Sequence, residues 1–351
     1  MRIMSMRKFA INGRIFEFPI TGVGRFCVEV IKAIDASDRG NEFILLLPSD
    51  AQNVPSLKRI ETEVVGNNTG IIWEQMSLPI YARKHRFTLL NMSNSIPLLK
   101  PDYVVIHDVS LKVNRKDFGT GIDKCRIWWP LLHYRVSALF AKHIFTVSEF
   151  QKQEIIRNYG VDSDKITAVY NGWEHMDYIE ADWSVLDKYN LAPKEYYFAV
   201  STLAKNKNFK WVLENAKYNI KYKYVISGKI ETKYFSDGIN VSDLDNVIYT
   251  GYVTDGELKA LMAESKAFLY PSLYEGFGIP PLEAISVGTK AIVAQASCLP
   301  EIYGSCVYYI DPMDSKVDLE KLLTSRNLSG TKILDKYGWG NTAKLMLDKV
   351  L

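Results

Sequence analysis

Short apolar runs alternate with helical stretches along this chain, and that alternation leaves few folds open to it. In the first half the runs are FILLLP at 43–48, TLLNMS at 88–93, YVVIHD at 103–108, HIFTVS at 143–148 and KITAVYNG at 165–172, after an earlier strand and a helix near 24–35. In the second half they are YYFAVS at 196–201, YKYVISG at 222–228, NVIYTG at 246–251, AFLYPS at 267–272, KAIVA at 290–294 and VYYID at 307–311. Two helix starts are written into the chain: Ser148 with Gln151 three residues on and Gly160 at the far end, and Thr254 with Glu257. At that spacing a cap side chain meets the amide three residues along. Strands alternating with helices form parallel sheets. The polar stretch 172–195 reads as a linker, so the 351 residues divide into two doubly wound α/β domains, each long enough to bury a core. Domains of this kind bind ligand in the cleft beyond their strand C-termini.

Composition narrows the class. Hydrophobic content of 47% and charged content of 24% are those of a globular protein. No run of about 18 apolar residues is present, and residues 1–13 lack a signal-peptide core. The four cysteines, Cys27, Cys125, Cys298 and Cys306, show no C-x-x-C spacing, which argues for reduced thiols in a cytoplasmic protein. Net charge is +3, split as +5 over residues 1–175 and −2 over the remainder. A mildly basic first half hints at an anionic partner and is far too weak for nucleic acid.

The densest stretch is 270–294, YPSLYEGFGIPPLEAISVGTKAIVA. Glu275 and Glu283 stand seven residues apart around a Gly-rich turn, Gly276-Phe277-Gly278, that runs into a helix opened by Pro280 and Pro281 and closed by Gly288. Glycines at 276 and 278 permit φ > 0 and a close approach of backbone to a ligand. A helix N-terminus offers free N–H groups and partial positive charge. A diphosphate on the turn, with a carboxylate on each side to accept hydroxyl hydrogen bonds, suits the pattern. The stretch closely resembles the E-x7-E motif of retaining, nucleotide-sugar-dependent glycosyltransferases of the GT-B fold, family 4 ("group 1").

That resemblance gives expectations elsewhere. Gly22 and Gly24, in PITGVGRF at 19–26, stand where the family places a Gly-rich loop facing the donor diphosphate; by itself a lone G-x-G is weak evidence, and the third glycine of a dinucleotide fingerprint is absent. His107, in VVIHDVS, matches the family's "HD", whose His lies beside the donor sugar, with Asp108 orienting nearby backbone. Lys207 and Asn208, in STLAKNKNF at 201–209, match the Lys-Asn that ends the family's V-G-x-L-x-P-R-K-N. Asn206 and Ser201 replace the usual Arg and Gly, which makes Lys205 the candidate for the second charge. Val253, in GYVT at 251–254, resembles the base-contacting segment, and Glu301 the Glu of P-E-x-x-G.

The resemblance implies a GT-B protein: an N-terminal Rossmann-like acceptor domain (1–172, with a final helix in 335–351 crossing back) and a C-terminal donor domain (173–334) facing a central cleft. It implies transfer of a hexose, mannose or rhamnose favoured, to a glycan or lipid-linked hydroxyl in bacterial surface polysaccharide synthesis. Lys207 would meet the leaving diphosphate, residues 275–278 the sugar and Glu283 the ribose. No cofactor or metal is expected: the D-x-D pairs Asp162/Asp164 and Asp243/Asp245 sit in turns, where Asp is common. The basic, aromatic stretch 124–143 suits either a core helix or peripheral contact with the inner face of a membrane. Competing readings are a GT-B nucleotide-sugar epimerase or hydrolase and a non-catalytic nucleotide- or glycan-binding subunit.

Overall fold

A computed structural model describes residues 8–20, 22–114, 123–200, 204–228, 244–325 and 330–351, the side chains of 123–126 excepted. The chain forms two compact units, one of residues 1–171 with 339–351, the other of 172–338.

The first unit holds a parallel sheet of β1 (Phe9–Asn12), β2 (Phe43–Leu47), β3 (Glu61–Val64), β4 (Thr88–Asn91), β5 (Tyr103–Ile106), β6 (His143–Thr146) and β7 (Ile166–Ala168), in the order β3-β2-β1-β4-β5-β6-β7. Inner strands such as FILLL of β2 are buried throughout, because helices cover both faces of a parallel sheet. Edge strand β3, ETEV, is mostly exposed. The helix Gly22–Ala36 after β1 buries Phe26, Val30 and Ile34 on one face. The terminal helix Trp339–Val350 packs in this unit, with Trp339 edge-on to Phe26 at 6.0 Å.

The second unit is built on β8 (Tyr196–Val200), β9 (Lys223–Ser227), β10 (Val247–Gly251), β11 (Ala267–Tyr270), β12 (Ala291–Ala294) and β13 (Tyr308–Ile310), in the order β10-β9-β8-β11-β12-β13 and parallel throughout. Its core gathers Tyr197, Trp211, Tyr224, Leu269 and Ile292. Strand order reverses between β1 and β4 in one unit and between β8 and β11 in the other. At such a reversal successive loops diverge and open a crevice at the strand C-termini.

Stretch 172–195 is no linker. Its short helices His175–Tyr178 and Ser184–Lys188 belong to the second unit. Val185 is fully buried, and Lys259 Nζ donates to the carbonyls of Met176 and Ile179 at 2.6 and 2.9 Å. Its polar composition hid a few anchoring contacts with residues far along the chain.

Candidate functional site

The β8/β11 reversal brings two loops together. After β8 comes a tight turn, Lys205–Lys207, and then Asn208 at φ 55° ahead of the helix Phe209–Tyr218. Asn is among the few non-glycine residues that enter this left-handed region readily. After β11 the chain runs through Pro271–Gly278 into the helix Ile279–Ser286. Gly278 sits at φ +82°, and a Cβ there would lie 2.8 Å from Leu299 Cδ2. Gly278 alone of the predicted glycine pair lies in the left-handed region. Asn206 stitches the loops: its carbonyl accepts from Leu273 N–H (2.7 Å) and Ser272 Oγ (2.9 Å), and its amide donates to the Tyr274 carbonyl (3.1 Å). Asn208 Nδ2 donates to the carbonyls of Pro271 (3.1 Å) and Pro312 (2.9 Å). Of the Asn206 bonds only the one to the Tyr274 carbonyl is made by its side chain.

Between these loops Lys207 Nζ meets both carboxylate oxygens of Glu275, at 2.7 and 2.9 Å. Ser272 Oγ also lies 2.6 Å from Glu275 Oε1, so its single proton serves either that carboxylate or the Asn206 carbonyl, and Glu275 N–H donates to Ser297 Oγ (3.1 Å). The lysine is 21% exposed and the carboxylate 10%, so the pair is open to ligand from the lysine side. Burial, and next the Glu275 carboxylate, hold the Tyr270 phenol well above its ordinary pKa, keeping it protonated below the pair.

The helix N-terminus supplies fewer amides than its sequence promised. Pro280 and Pro281 occupy its first positions and carry no N–H. The Tyr303 hydroxyl donates to the Gly278 carbonyl at the start of this helix. The charged donor beside this turn is the Lys207 ammonium. The Phe277 side chain turns into the core, edge-on to Tyr337 at 5.3 Å, so only its backbone faces the turn. Lys205 is exposed and Val253 is buried.

Glu283 lies further along the same helix, its carboxylate 13% exposed, with Oε1 2.8 Å from Nε2 of His175, which is 1% exposed. Sequence reasoning missed His175. It lies 108 positions from its partner, in the supposed linker, and no spacing links the two.

In the first unit, His107 follows β5. Its Nε2 bonds the Met92 carbonyl at 2.8 Å, which requires the proton on that nitrogen. Phe26 stands edge-on at 4.8 Å. Burial lowers the imidazole pKa, against the opposing pull of Met92 and Asp108, so the ring is neutral and suits contact rather than charge. Asp108 accepts from Ser110 N–H at 2.8 Å. Gly22 opens the helix Gly22–Ala36, and a Cβ there would meet nothing within 4 Å; one on Gly24 would touch Ile20 at 3.6 Å.

The β1/β4 reversal carries a cluster that the sequence did not announce. Glu74, fully buried in the π-helical turn Trp73–Ser77, accepts from Arg14 Nη1 (2.7 Å), Ser95 Oγ (2.7 Å) and Asn12 Nδ2 (3.3 Å). Asn12 also donates to Asn91 at 3.1 Å.

The model of the glycosyltransferase family 4 domain matches residues 20–175, and that of glycosyl transferases group 1 matches residues 185–328. The chain is a family 4 glycosyltransferase. O-antigen chain mannosyltransferase B of Escherichia coli is 26% identical to this glycosyltransferase over 333 residues, 85% of either chain. O-antigen chain mannosyltransferase RfbU of Salmonella typhimurium is 31% identical over 231 residues, 64% of this chain and 60% of that one. The sucrose-phosphate synthase of Thermosynechococcus elongatus shares the fold at a TM-score of 0.74 and 14% identity, over 98% of both chains. The two parallel-sheet units are thus those of a GT-B glycosyltransferase.

The remaining candidates are placed as follows. Asp162 accepts from the Asp164 amide at 3.0 Å in the turn before β7; Asp243 and Ser201 lie outside the described residues. Among the described residues no group of three or more His, Cys, Asp or Glu is arranged to hold a metal ion. Stretch 124–143 contains the helix Asp123–Phe140. Ile127, Tyr134 and Ala138 are buried, while Trp128, Leu139 and Phe140 are 63%, 59% and 68% exposed. Among the described residues no helix is long and apolar enough to cross a membrane.

Proposed function

We propose that this glycosyltransferase transfers mannose from a nucleoside diphosphate donor, with retention of anomeric configuration, to a hydroxyl of a glycan or lipid-linked acceptor in bacterial surface polysaccharide synthesis. The observation that carries the reading is the Lys207–Glu275 pair at the β8/β11 reversal, with Glu283 on the helix that follows. The mannosyltransferase relatives favour mannose over rhamnose. The second unit holds the donor and the first the acceptor.

Lys207 donates to the diphosphate, as the charge that develops on a leaving group needs a preorganised cation. Lys205 adds a second, more exposed charge. Drawing Lys207 toward phosphate frees Glu275 to accept hydrogen bonds from the sugar hydroxyls. Glu283 accepts from the ribose, and the backbone of Gly276, Phe277 and Gly278 lines the sugar and phosphate. Val253 meets the base through its backbone. For Gly22, with open space where a side chain would stand, for Gly24 and for neutral His107, the reading keeps the roles that the family resemblance implies.

The acceptor oxygen bonds to C1 on the face from which the C1–O(phosphate) bond breaks, and its proton passes to the departing phosphate oxygen. No protein nucleophile and no metal is required. Exposed Trp128, Leu139 and Phe140, together with exposed Arg135 and Lys142, rest on an anionic membrane surface.

The test is turnover with GDP-mannose beside UDP-, dTDP- and ADP-sugars, with and without EDTA, on a lipid-linked acceptor, the product anomer being read by NMR. Transfer of α-mannose from α-linked donor, insensitive to EDTA and lost in Lys207→Ala, is expected. A β-linked product contradicts retention. Nucleotide release without acceptor favours a hydrolase or epimerase.

A further inference from the structure

We infer that His175 is a positioning residue for the donor ribose, acting through Glu283. The inference rests on the reading of Glu283 as the ribose acceptor. A carboxylate on a surface helix samples several rotamers, and only some of them aim an oxygen at a fixed ligand. Here one oxygen is taken: Oε1 lies 2.8 Å from His175 Nε2. A carboxylate oxygen only accepts, so the imidazole donates and carries its proton on Nε2. With Oε1 held, rotation about the last side-chain bond is arrested and Oε2 is left to the ligand.

The imidazole can act as a fixed post because its own segment is tied down. Trp173 Nε1 donates to the Leu334 carbonyl at 3.0 Å, and Trp173 N–H to Glu174 Oε2 at 3.0 Å. Just beyond the ring, Lys259 Nζ binds the carbonyls of Met176 and Ile179. His175 itself is 1% exposed, so it meets no substrate directly, and its effect on binding passes through the Glu283 carboxylate. This is the logic by which an outer partner orients a ligating group. It assigns a use to a buried histidine that the motif does not contain.

The experiment is calorimetric titration with whichever of GDP, UDP, dTDP and ADP binds tightest, and with its 2′,3′-dideoxy counterpart. The ratio of the two Kd values isolates the ribose hydroxyls. A hydrogen bond to a charged group is worth roughly a 10- to 100-fold preference for the hydroxylated nucleotide. Glu283→Gln should flatten the ratio. His175→Leu should lower it by about 5-fold or more, and raise donor KM with little change in kcat. His175→Gln, whose amide nitrogen falls near the imidazole Nε2, should restore most of it. A merely structural histidine would weaken both nucleotides equally and leave the ratio intact. Should Glu283→Gln flatten the ratio while His175→Leu leaves it unchanged, the inference is wrong and the ribose reading stands. An unchanged ratio in Glu283→Gln, or no binding of any of the four, overturns both. Melting curves check that each variant is folded, and if His175→Leu is not, His175→Asn, whose donor falls short of Glu283, replaces it with the same expected drop.

Discussion

The two strand-order reversals of this protein are topologically equivalent and chemically unlike. At β1/β4 the polar groups face inward: Glu74 is fully buried and its bonds to Arg14, Ser95 and Asn12 are made within the unit. At β8/β11 the acid is again buried, the Glu275 side chain being 10% exposed, but its partner Lys207 reaches solvent at 21%. A buried charge with several fixed partners is part of the fold, because losing one partner strands the others. A pair between two loops whose lysine is partly open to solvent can exchange that partner for a ligand. The equivalent crevice is a structural joint in one unit and, in the proposed reading, the reaction site in the other. What separates these roles is how open the partner is to solvent and not the charge itself.

Substitutions can break that comparison in order of effect. Glu74→Ala removes the buried acceptor that Arg14, Ser95 and Asn12 share and should cost about 3–5 kcal/mol of stability, read as a lower urea midpoint; an unchanged midpoint would make the cluster something other than a joint. Lys207→Ala should leave the urea midpoint within about 1 kcal/mol of wild type while turnover falls roughly 10²- to 10³-fold. Equal losses of stability and turnover would erase the contrast. Gly278→Ala forces a Cβ onto Leu299 at φ +82° and should cost about 1–3 kcal/mol, with donor KM rising because the turn carries the ligand-facing amides.

The smallest effect is a pH dependence confined to the first unit. Burial, and then Lys349, Lys152 and Lys165, lower the His143 pKa to about 4. The unfolded chain, titrating near the ordinary value of about 6.5, binds more protons than the folded one between those limits. Stability is therefore fully present above pH ~6.5 and lost as pH falls toward about 4. His143→Leu should reduce that slope, the remainder coming from His107 and His133, whose pKa values burial also lowers, and urea melts between about pH 7 and 4.5 would show it.

The fold was legible wherever burial is written as composition. The runs at 43–48, 143–148 and 267–272 became β2, β6 and β11. Ser148 accepts from the Gln151 amide, and Thr254 and Glu257 close a reciprocal capping box, since those bonds are local. Strand β3 escaped notice because ETEV at a sheet edge gains its place from backbone pairing with β2 and not from buried side chains. The E-x7-E stretch was equally readable as a turn and a helix. What stayed hidden were partners distant in sequence: Arg14 lies 60 positions from Glu74, and His175 lies 108 from Glu283. No spacing rule reaches across such intervals. The two prolines of the motif open the helix as their sequence position implies, while the effect of their missing amides on what the helix N-terminus offers appears only once the helix is traced.

The central claim is that the β8/β11 crevice holds a nucleotide sugar by exchanging the Lys207–Glu275 pair for contacts to the donor. Calorimetric titration of GDP-mannose into the wild-type protein and into Glu275→Gln and Lys207→Met tests it most directly. The account predicts saturable binding by the wild type. It predicts weaker binding of both the sugar nucleotide and GDP by Lys207→Met. Glu275→Gln should lose affinity for GDP-mannose while keeping that for GDP, because Glu275 serves the sugar and Lys207 the diphosphate. Identical affinities in all three proteins, or equal losses for GDP and GDP-mannose in Glu275→Gln, would contradict it.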